Sequence, residues 1–503
     1  MGAIAIQEQD EGGHITAEYL ISPDLKEPKT FPRSDTAQGS YRIAWRQLLS
    51  GVFLPAGYPA TVSPDYLHYQ IYNGLQAGCS SIASLLASRA VLEGHGVGEA
   101  SASATDAMLV NVIQDVFSRL ITIASGYYLG TSLFPEAKTY RLLADVFNDA
   151  AIIFDIISPL FSHWSLCLVY PFIRREPGQY LRVIVLCLSG SFRALCGMVA
   201  GGSKAALTMH FATAGPLLGD IGDLNAKDGS KETVLALVGM LLGTFVIKHV
   251  DSGYATYAVL FILILLHLGI NYVAVRGVVM RSLNRQRAAA VWASYRRHEL
   301  GITKHEGSMV TPEAMASQER IFADPSIVRH PLQPEKRLGH CHLGAPLSTI
   351  FLDTSRPCPP SRASSVPRLS SAQLGTILQT FEHERYILWF RHDSRPHALR
   401  LAVCFKTGHQ PLDRLKGWIH VQELAFVLDD NMPAAFEELH KAVQTSLERV
   451  KKLFPPFLDA ARARGWMVDD GLLAGISYTV SVQPAEDGIT HDMLLQAGDR
   501  KSV

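Results

Sequence analysis

"YATYAVLFILILLHLGINYVAV", residues 254–275, decides the fold class. The run carries no Asp, Glu, Lys or Arg. It exceeds the roughly 20 apolar residues that cross a bilayer as a helix. It shows no period-2 alternation, so a half-buried strand is excluded. From Val52 to Ile302 the chain keeps this grammar, with long apolar stretches broken by short Gly- and Pro-containing turns. The prediction is a mainly α protein: a helical, membrane-embedded core domain, followed by a small α+β C-terminal domain.

Four further stretches bear on the membrane reading. Residues 106–126 contain Asp106, Asp115 and Arg119 and read as an amphipathic or core helix. Residues 151–173 are long enough to span, despite Asp155, Pro159 and His163. Residues 181–201 hold Arg182 at the edge and Arg193 inside, and residues 233–247 are apolar but short. Arg174, Arg175 and Arg182 flank one side, and Arg276, Arg281, Arg285 and Arg287 follow the last run. Both basic clusters belong on the cytosolic side. That holds if 181–201 and 254–275 cross while 233–247 is re-entrant or buried. The alternative is a large soluble helical core whose central helices are apolar all round.

The 503 residues are 48% hydrophobic and 18% charged, against about 25% charged in soluble domains. Lys plus Arg equals Asp plus Glu at 46 each, so no global basic surface points to nucleic acid, and no nucleic-acid partner is expected. Seven scattered cysteines without a CxxC pair read as reduced thiols of an intracellular protein. His340-Cys341-His342 has metal-ligand residue types, but neighbours on a strand point to opposite faces. The N-terminus lacks the features of a secretory signal or transit peptide, and Ile6 argues against myristoylation of Gly2.

The domain reading is a polar, partly disordered segment with at most one edge strand at 1–45, and the helical core at 46–302. A linker with a short helix and a Pro/Ser-rich insert fills 303–374. The α+β domain covers 375–485, and a tail 486–503. Within the core, residues 284–300 form a basic helix suited to an anionic lipid surface or to a solvated face. Thr311 caps a helix that Pro312 begins. "RYILWF" and "ALRLAVCF" form a hairpin. A helix with Pro433 near its start carries the stripe Phe436, Leu439, Val443, Leu447 and Val450, and a second helix ends at Gly465.

Polar residues of the core gather in three stretches. "EAKTYRLLADVFND" (136–149) holds Lys138, Arg141, Asp145, Asn148 and Asp149. Asp145, Asn148 and Asp149 share one helix face. Asp155 lies on the flank of that stripe, and Arg193 is its expected partner. "GGSKAALTMH" (201–210) holds Lys204 and His210; "GDIGDLNAKDGSKET" (219–233) holds Asp223, Lys227, Asp228, Ser230 and Glu232. Charges beside apolar helices are costly unless paired, so one reading is a salt-bridged network that fixes packing. The other is a site for a small anion, with "GGSK" and "KDGSKE" at helix starts. In either reading Asp149, Lys204 and Lys227 meet in the interior. No GxSxG, HExxH, kinase set or post-strand GxGxxG is present, so a non-enzymatic role is expected. The weakest-supported alternative is an enzyme using Asp145 or Asp149 with His210.

"FLPAGYPATVSPDYLHYQIYNGLQAGCSSIASLLASRAVLEGHGVG", "EAKTYRLLADVFNDAAIIFDIISPLF", "GGSKAALTMHFA", "DLNAKDGSKETVLALVGMLLG" and "NYVAVRGVVMRSLNRQR" resemble the root UVB-sensitive (RUS) family, in its fungal-type form without a plastid transit segment. The resemblance covers about residues 40–300, including Tyr66, Asn271 and Tyr272. It implies an organellar membrane protein linked to vitamin B6 homeostasis and the UV-B response, with pyridoxal phosphate or a related vitamer as a conceivable ligand. It also implies a homologous RUS protein as partner, and no established catalysis. Departures are Lys204 where the family often has Arg, and Lys231 where it has Gln. From these residues the expectation is binding or transport of a small anionic metabolite, or a membrane-anchored scaffold whose C-terminal domain docks a protein.

Overall fold

The computed structural model describes residues 4–9, 15–22, 29–32, 49, 51–94, 104–161, 177–250, 253–302, 309–351, 369–392, 399–430, 433, 435–469 and 478–482. Two compact units divide the chain: residues 1–281 with 312–322, and residues 282–311 with 323–503.

In the first unit, β1 (Ile4–Gln9), β2 (Ile15–Ile21) and β3 (Lys29–Pro32) pair antiparallel in that order. The N-terminal segment therefore holds a small sheet where at most one strand was expected. Helices follow: α1 (Tyr66–Gly94), α2 (Ala104–Leu129), α3 (Ala137–Ile157), α4 (Pro177–Thr213), α5 (Ile221–His249), α6 (Gly253–Gly277) and the short α8 (Pro312–Gln318). Between α6 and α8 in sequence, α7 (Arg285–Glu299) belongs to the second unit. Among the described residues, five helices are long and apolar enough to cross a membrane: Tyr66–Leu92, Met108–Leu129, Leu181–Thr213, Ile221–His249 and Tyr254–Gly277.

That set corrects three expectations. Residues 106–126 are no core helix: on α2, Leu109, Val112, Val116, Phe117, Leu120 and Ile123 are all exposed. The run 151–173 does not continue as one helix. α3 stops at Ile157 and a 3-10 turn occupies Ser158–Phe161 around Pro159, which cannot extend the hydrogen-bond ladder; residues 162–173 lie outside the described residues. Residues 233–247 are the C-terminal part of a full-length helix, because the polar start of α5 is helical as well. Asp220 caps that start by accepting the Gly222 and Asp223 N–H groups.

α3 packs along α4, and α1 lies against both α5 and α6, while α2 rests chiefly on α4. Small residues set the close crossings. A Cβ at Gly239 of α5 would lie 2.8 Å from the Gly78 carbonyl oxygen of α1. One at Gly190 of α4 would lie 2.6 Å from the Gln114 side chain of α2. One buried cluster joins Val62, Tyr66, Tyr69, Leu207, Phe211 and Val278.

In the second unit a mixed sheet has the order β4 (Ile327–Arg329), β5 (Arg337–Leu343), β7 (Leu399–Lys406), β6 (Tyr386–His392), with β8 (Thr479–Val480) on the far end of β7. β6 and β7 pair antiparallel, with Leu388 opposite Val403, as the two apolar runs predict. β5 pairs parallel with β7, so residues 327–329 and 337–343 belong to the sheet, where a linker was expected. Cys341 is buried and its two His neighbours alternate away from it. α9 (Ser348–Phe351) and α10 (Ser371–Thr380) precede the hairpin; most of the Pro/Ser-rich insert lies outside the described residues. α11 (Pro411–Asp430), which the sequence reading missed, packs on the sheet and on α12 (Phe436–Ala463). α12 continues through Pro455-Pro456 as one helix instead of two. Gly465 follows it with φ 85°, a left-handed position that suits glycine.

The basic helix α7 is neither a lipid-facing nor a solvated helix. Arg287, Trp292 and Arg296 are buried in it. Glu423 of α11, fully buried, accepts from Arg296 Nε at 2.7 Å and Trp292 Nε1 at 3.2 Å.

Candidate functional site

α3 projects its polar face into the first unit, as the i, i+3, i+4 spacing of Asp145, Asn148 and Asp149 requires. Arg141 Nη1 donates to Asp145 at 2.9 Å, Nη2 to Asn73 Oδ1 at 2.8 Å, and Nε to the Tyr69 hydroxyl at 3.1 Å. Asn271 of α6 donates to the other Asp145 oxygen. Asn73 of α1 passes the chain onward, donating to Glu232 of α5 at 3.0 Å. Lys204 of α4 closes it with both Glu232 oxygens, at 2.8 and 2.9 Å. Asn271, Asp145, Arg141, Asn73, Glu232 and Lys204 thus form one unbroken seam. It takes at least one side chain from each of α1, α3, α4, α5 and α6. Two acids and two bases balance within it, so the seam, running from the buried Arg141–Asp145 pair to the part-exposed Lys204–Glu232 pair, carries no net charge.

Other members of the three polar stretches find partners nearby. Asp149 lies 2.9 Å from Nδ1 of His267, Asn148 donates to Ser80 at 3.0 Å, and buried Asp155 pairs with Arg193, the partner expected for it. Asp228 accepts from the Tyr66 hydroxyl at 2.8 Å and pairs with Lys231 at 2.9 Å. The remaining expected site residues do not join the seam. Lys138 turns to Glu319 at 2.8 Å. Asp223 accepts the Ala56 N–H at 2.8 Å, Lys227 donates to the Gly51 carbonyl, and Ser230 donates to the Ala226 carbonyl at 3.0 Å.

Asp149, Lys204 and Lys227 therefore do not meet. Asp145 and Asp149 do not share His210 either, which rules out the acid–base pairing considered for them. "GGSK" and "KDGSKE" lie inside α4 and α5 rather than at helix starts, so their backbone N–H groups are spent on the helix and offer no anion nest.

His210 instead forms a second site. Its Nε2 lies 3.1 Å from Asp65 Oδ2, which also accepts the Val279 N–H at 2.7 Å. Burial by itself would raise the Asp65 pKa, but the bonds from His210, Ser63 and Val279 outweigh it and hold the carboxyl below its ordinary range. A cavity of about 350 Å³ opens beside this pair, lined also by Ser63, Pro64, Ala214, Arg281 and Glu313. Among the described residues no group of three His, Cys, Asp or Glu side chains is placed to hold a metal.

The sequence profile of the vitamin B6 photo-protection and homoeostasis domain matches residues 40–299, the stretch that supplies every member of the seam. The chain belongs to the RUS family. It is similar to Protein root UVB sensitive 3 of Arabidopsis thaliana, 27% identical over 87% of this chain and 87% of that protein. It is similar to RUS family member 1 of Dictyostelium discoideum, 35% identical over 55% of this chain and 48% of that protein. Protein root UVB sensitive 2, chloroplastic, of Arabidopsis thaliana is 23% identical over 83% of this chain and 81% of its own length. No solved structure matches the chain. Sequence reasoning for this RUS protein missed Asp65, Asn73, His267, Lys231 and Glu319. Asn73 and His267 carried a signal, as polar residues inside long apolar runs.

Proposed function

We propose that this RUS protein is a helical membrane protein of an intracellular organelle. Its first unit binds, and moves, a small anionic metabolite, with a B6 vitamer such as pyridoxal 5′-phosphate as the first candidate. The observation that carries the reading is the Asp65–His210 cavity, beside helices long and apolar enough to cross a membrane. Ionisable side chains are rare in such helices and mark solute sites when they occur. A volume of about 350 Å³ falls in the range of small-molecule pockets. Arg281 supplies a permanent cation for a phosphate or carboxylate. His210, held by Asp65, lines the same cavity as a second hydrogen-bonding group. The description of the matched domain directs attention to B6 vitamers. The absence of a catalytic motif from the sequence, and the ion pairing of both acids of the seam, favour binding over chemistry.

Equilibrium binding of pyridoxal 5′-phosphate to purified protein in detergent tests this. Saturable binding is expected, weakened at least tenfold by Arg281→Ala or His210→Gln and unchanged in Lys227→Ala, whose side chain points away to Gly51. Equal affinity in all four proteins, or no binding, rejects the site.

A further inference from the structure

α2 carries charge where a membrane helix should carry none. In the span Met108–Leu129, Asp115 and Arg119 sit about 10 and 16 Å along the axis from Met108, near the middle of a hydrocarbon layer about 30 Å thick. Both are exposed. Among the described residues neither side chain has a hydrogen bond or an ion pair. Asn111, Asp115, Ser118 and Thr122 recur at i, i+4, i+7 and i+11, so they form one stripe. Together with Arg193 of α4 the stripe lines an open groove of about 480 Å³. Beside it runs a second exposed stripe, Val112, Val116, Leu120 and Ile123. Hydrocarbon would satisfy the apolar stripe and leave the charges bare; water would do the reverse.

We infer that this face of α2 is an interface with a second copy of the same chain. The face is self-complementary. In a two-fold pair with both copies inserted the same way, the two α2 helices run parallel and Asp115 of each reaches Arg119 of the other diagonally, about 6 Å along the axis, so the ion pair forms twice and the apolar stripes close beside it. An anionic lipid headgroup fits less well. It would sit at the wrong depth, and its phosphate would face Asp115 one turn from Arg119. Helix pairs in membranes are held by such polar contacts together with close packing. The inference rests on α2 lying in a membrane, as proposed above.

The test is a charge swap in full-length protein, read by mass photometry in detergent and in nanodiscs, with carbonate extraction of membranes scored separately. The wild type is expected to be a dimer. Asp115→Arg places like charges opposite each other and should weaken association on the order of a hundredfold. Arg119→Asp should do the same, and the double variant should restore the dimer. Val116→Cys should cross-link two copies under oxidation, independently of any folding defect in the charge variants. A monomer at all concentrations overturns the inference, as does a dimer indifferent to Asp115→Arg, or a monomer from which Arg119→Asp removes bound anionic lipid. Release of the wild type by carbonate would defeat the membrane reading alone, because the swap still reports on the interface.

Discussion

Nδ1 of His267 lies 2.9 Å from Oδ2 of Asp149, one residue on α6 and the other on α3, both buried. The pair joins the most apolar stretch of the chain to its most polar helix face. Removing one partner of a buried pair leaves the other without solvation, at a cost of about 3–5 kcal/mol. His267→Ala should therefore destabilise the first unit by about that amount. Asp149→Leu with His267→Leu should recover most of the loss, because an apolar pair of similar volume needs no partner. Reversible unfolding in mixed micelles measures both.

The Asp155–Arg193 pair predicts an asymmetry. Asp155 is buried, whereas the Arg193 side chain is 49% exposed. Arg193→Gln strands a carboxylate and is expected to cost about 3 kcal/mol. Asp155→Leu frees an arginine that can turn outward, and should cost no more than about 1 kcal/mol. Equal losses in the same unfolding assay would contradict the observed difference in exposure.

His420 gives the second unit a pH dependence. Tyr386 OH lies 3.1 Å from its Nδ1, and its Nε2 lies 2.9 Å from Ser446 Oγ, which itself donates to the Val443 carbonyl at 2.9 Å. The chain suits a neutral ring protonated on Nε2. Burial pushes the His420 pKa down to about 3, with Lys416 and Lys451 adding to the fall and the Val443 backbone opposing it. The unfolded chain takes up the proton near pH 6.5, whereas the folded one does so near 3, so stability is full above pH 6.5 and declines as pH falls through that window. At pH 5 the loss is about 2 kcal/mol. Comparison of wild type with His420→Gln between pH 7.5 and 5 isolates it: the variant should show a smaller slope.

The helical core, the hairpin of the second unit and the polar face of α3 were legible because each rests on local periodicity. Asp155 with Arg193 was legible too, since a lone acid and a lone base in apolar helices have few alternatives. His267 and Asn73 escaped notice because a neutral polar residue in an apolar run looks like a blemish until its partner is known. "GGSK" misled for a related reason. Glycines suggest a loop, but here they sit inside α4 and α5: Gly201 and Gly229 face open space, and Gly202 packs on Leu133 of the turn after α2, a neighbour only the fold supplies.

By itself the sequence determined that this chain makes long apolar helices, that acids and bases enter them in balanced number, and that a mixed α+β unit follows. Apolar spacing and the cost of unpaired charge suffice for that. Only the tertiary structure decided which charges meet. Arg141 reaches Asn73, and through it Glu232 and Lys204, because α1 and α4 each pack on both α3 and α5; Lys227, on the same helix as Glu232, faces away. Helical periodicity sets the direction in which a side chain points, and the packing of the other helices sets what it finds there.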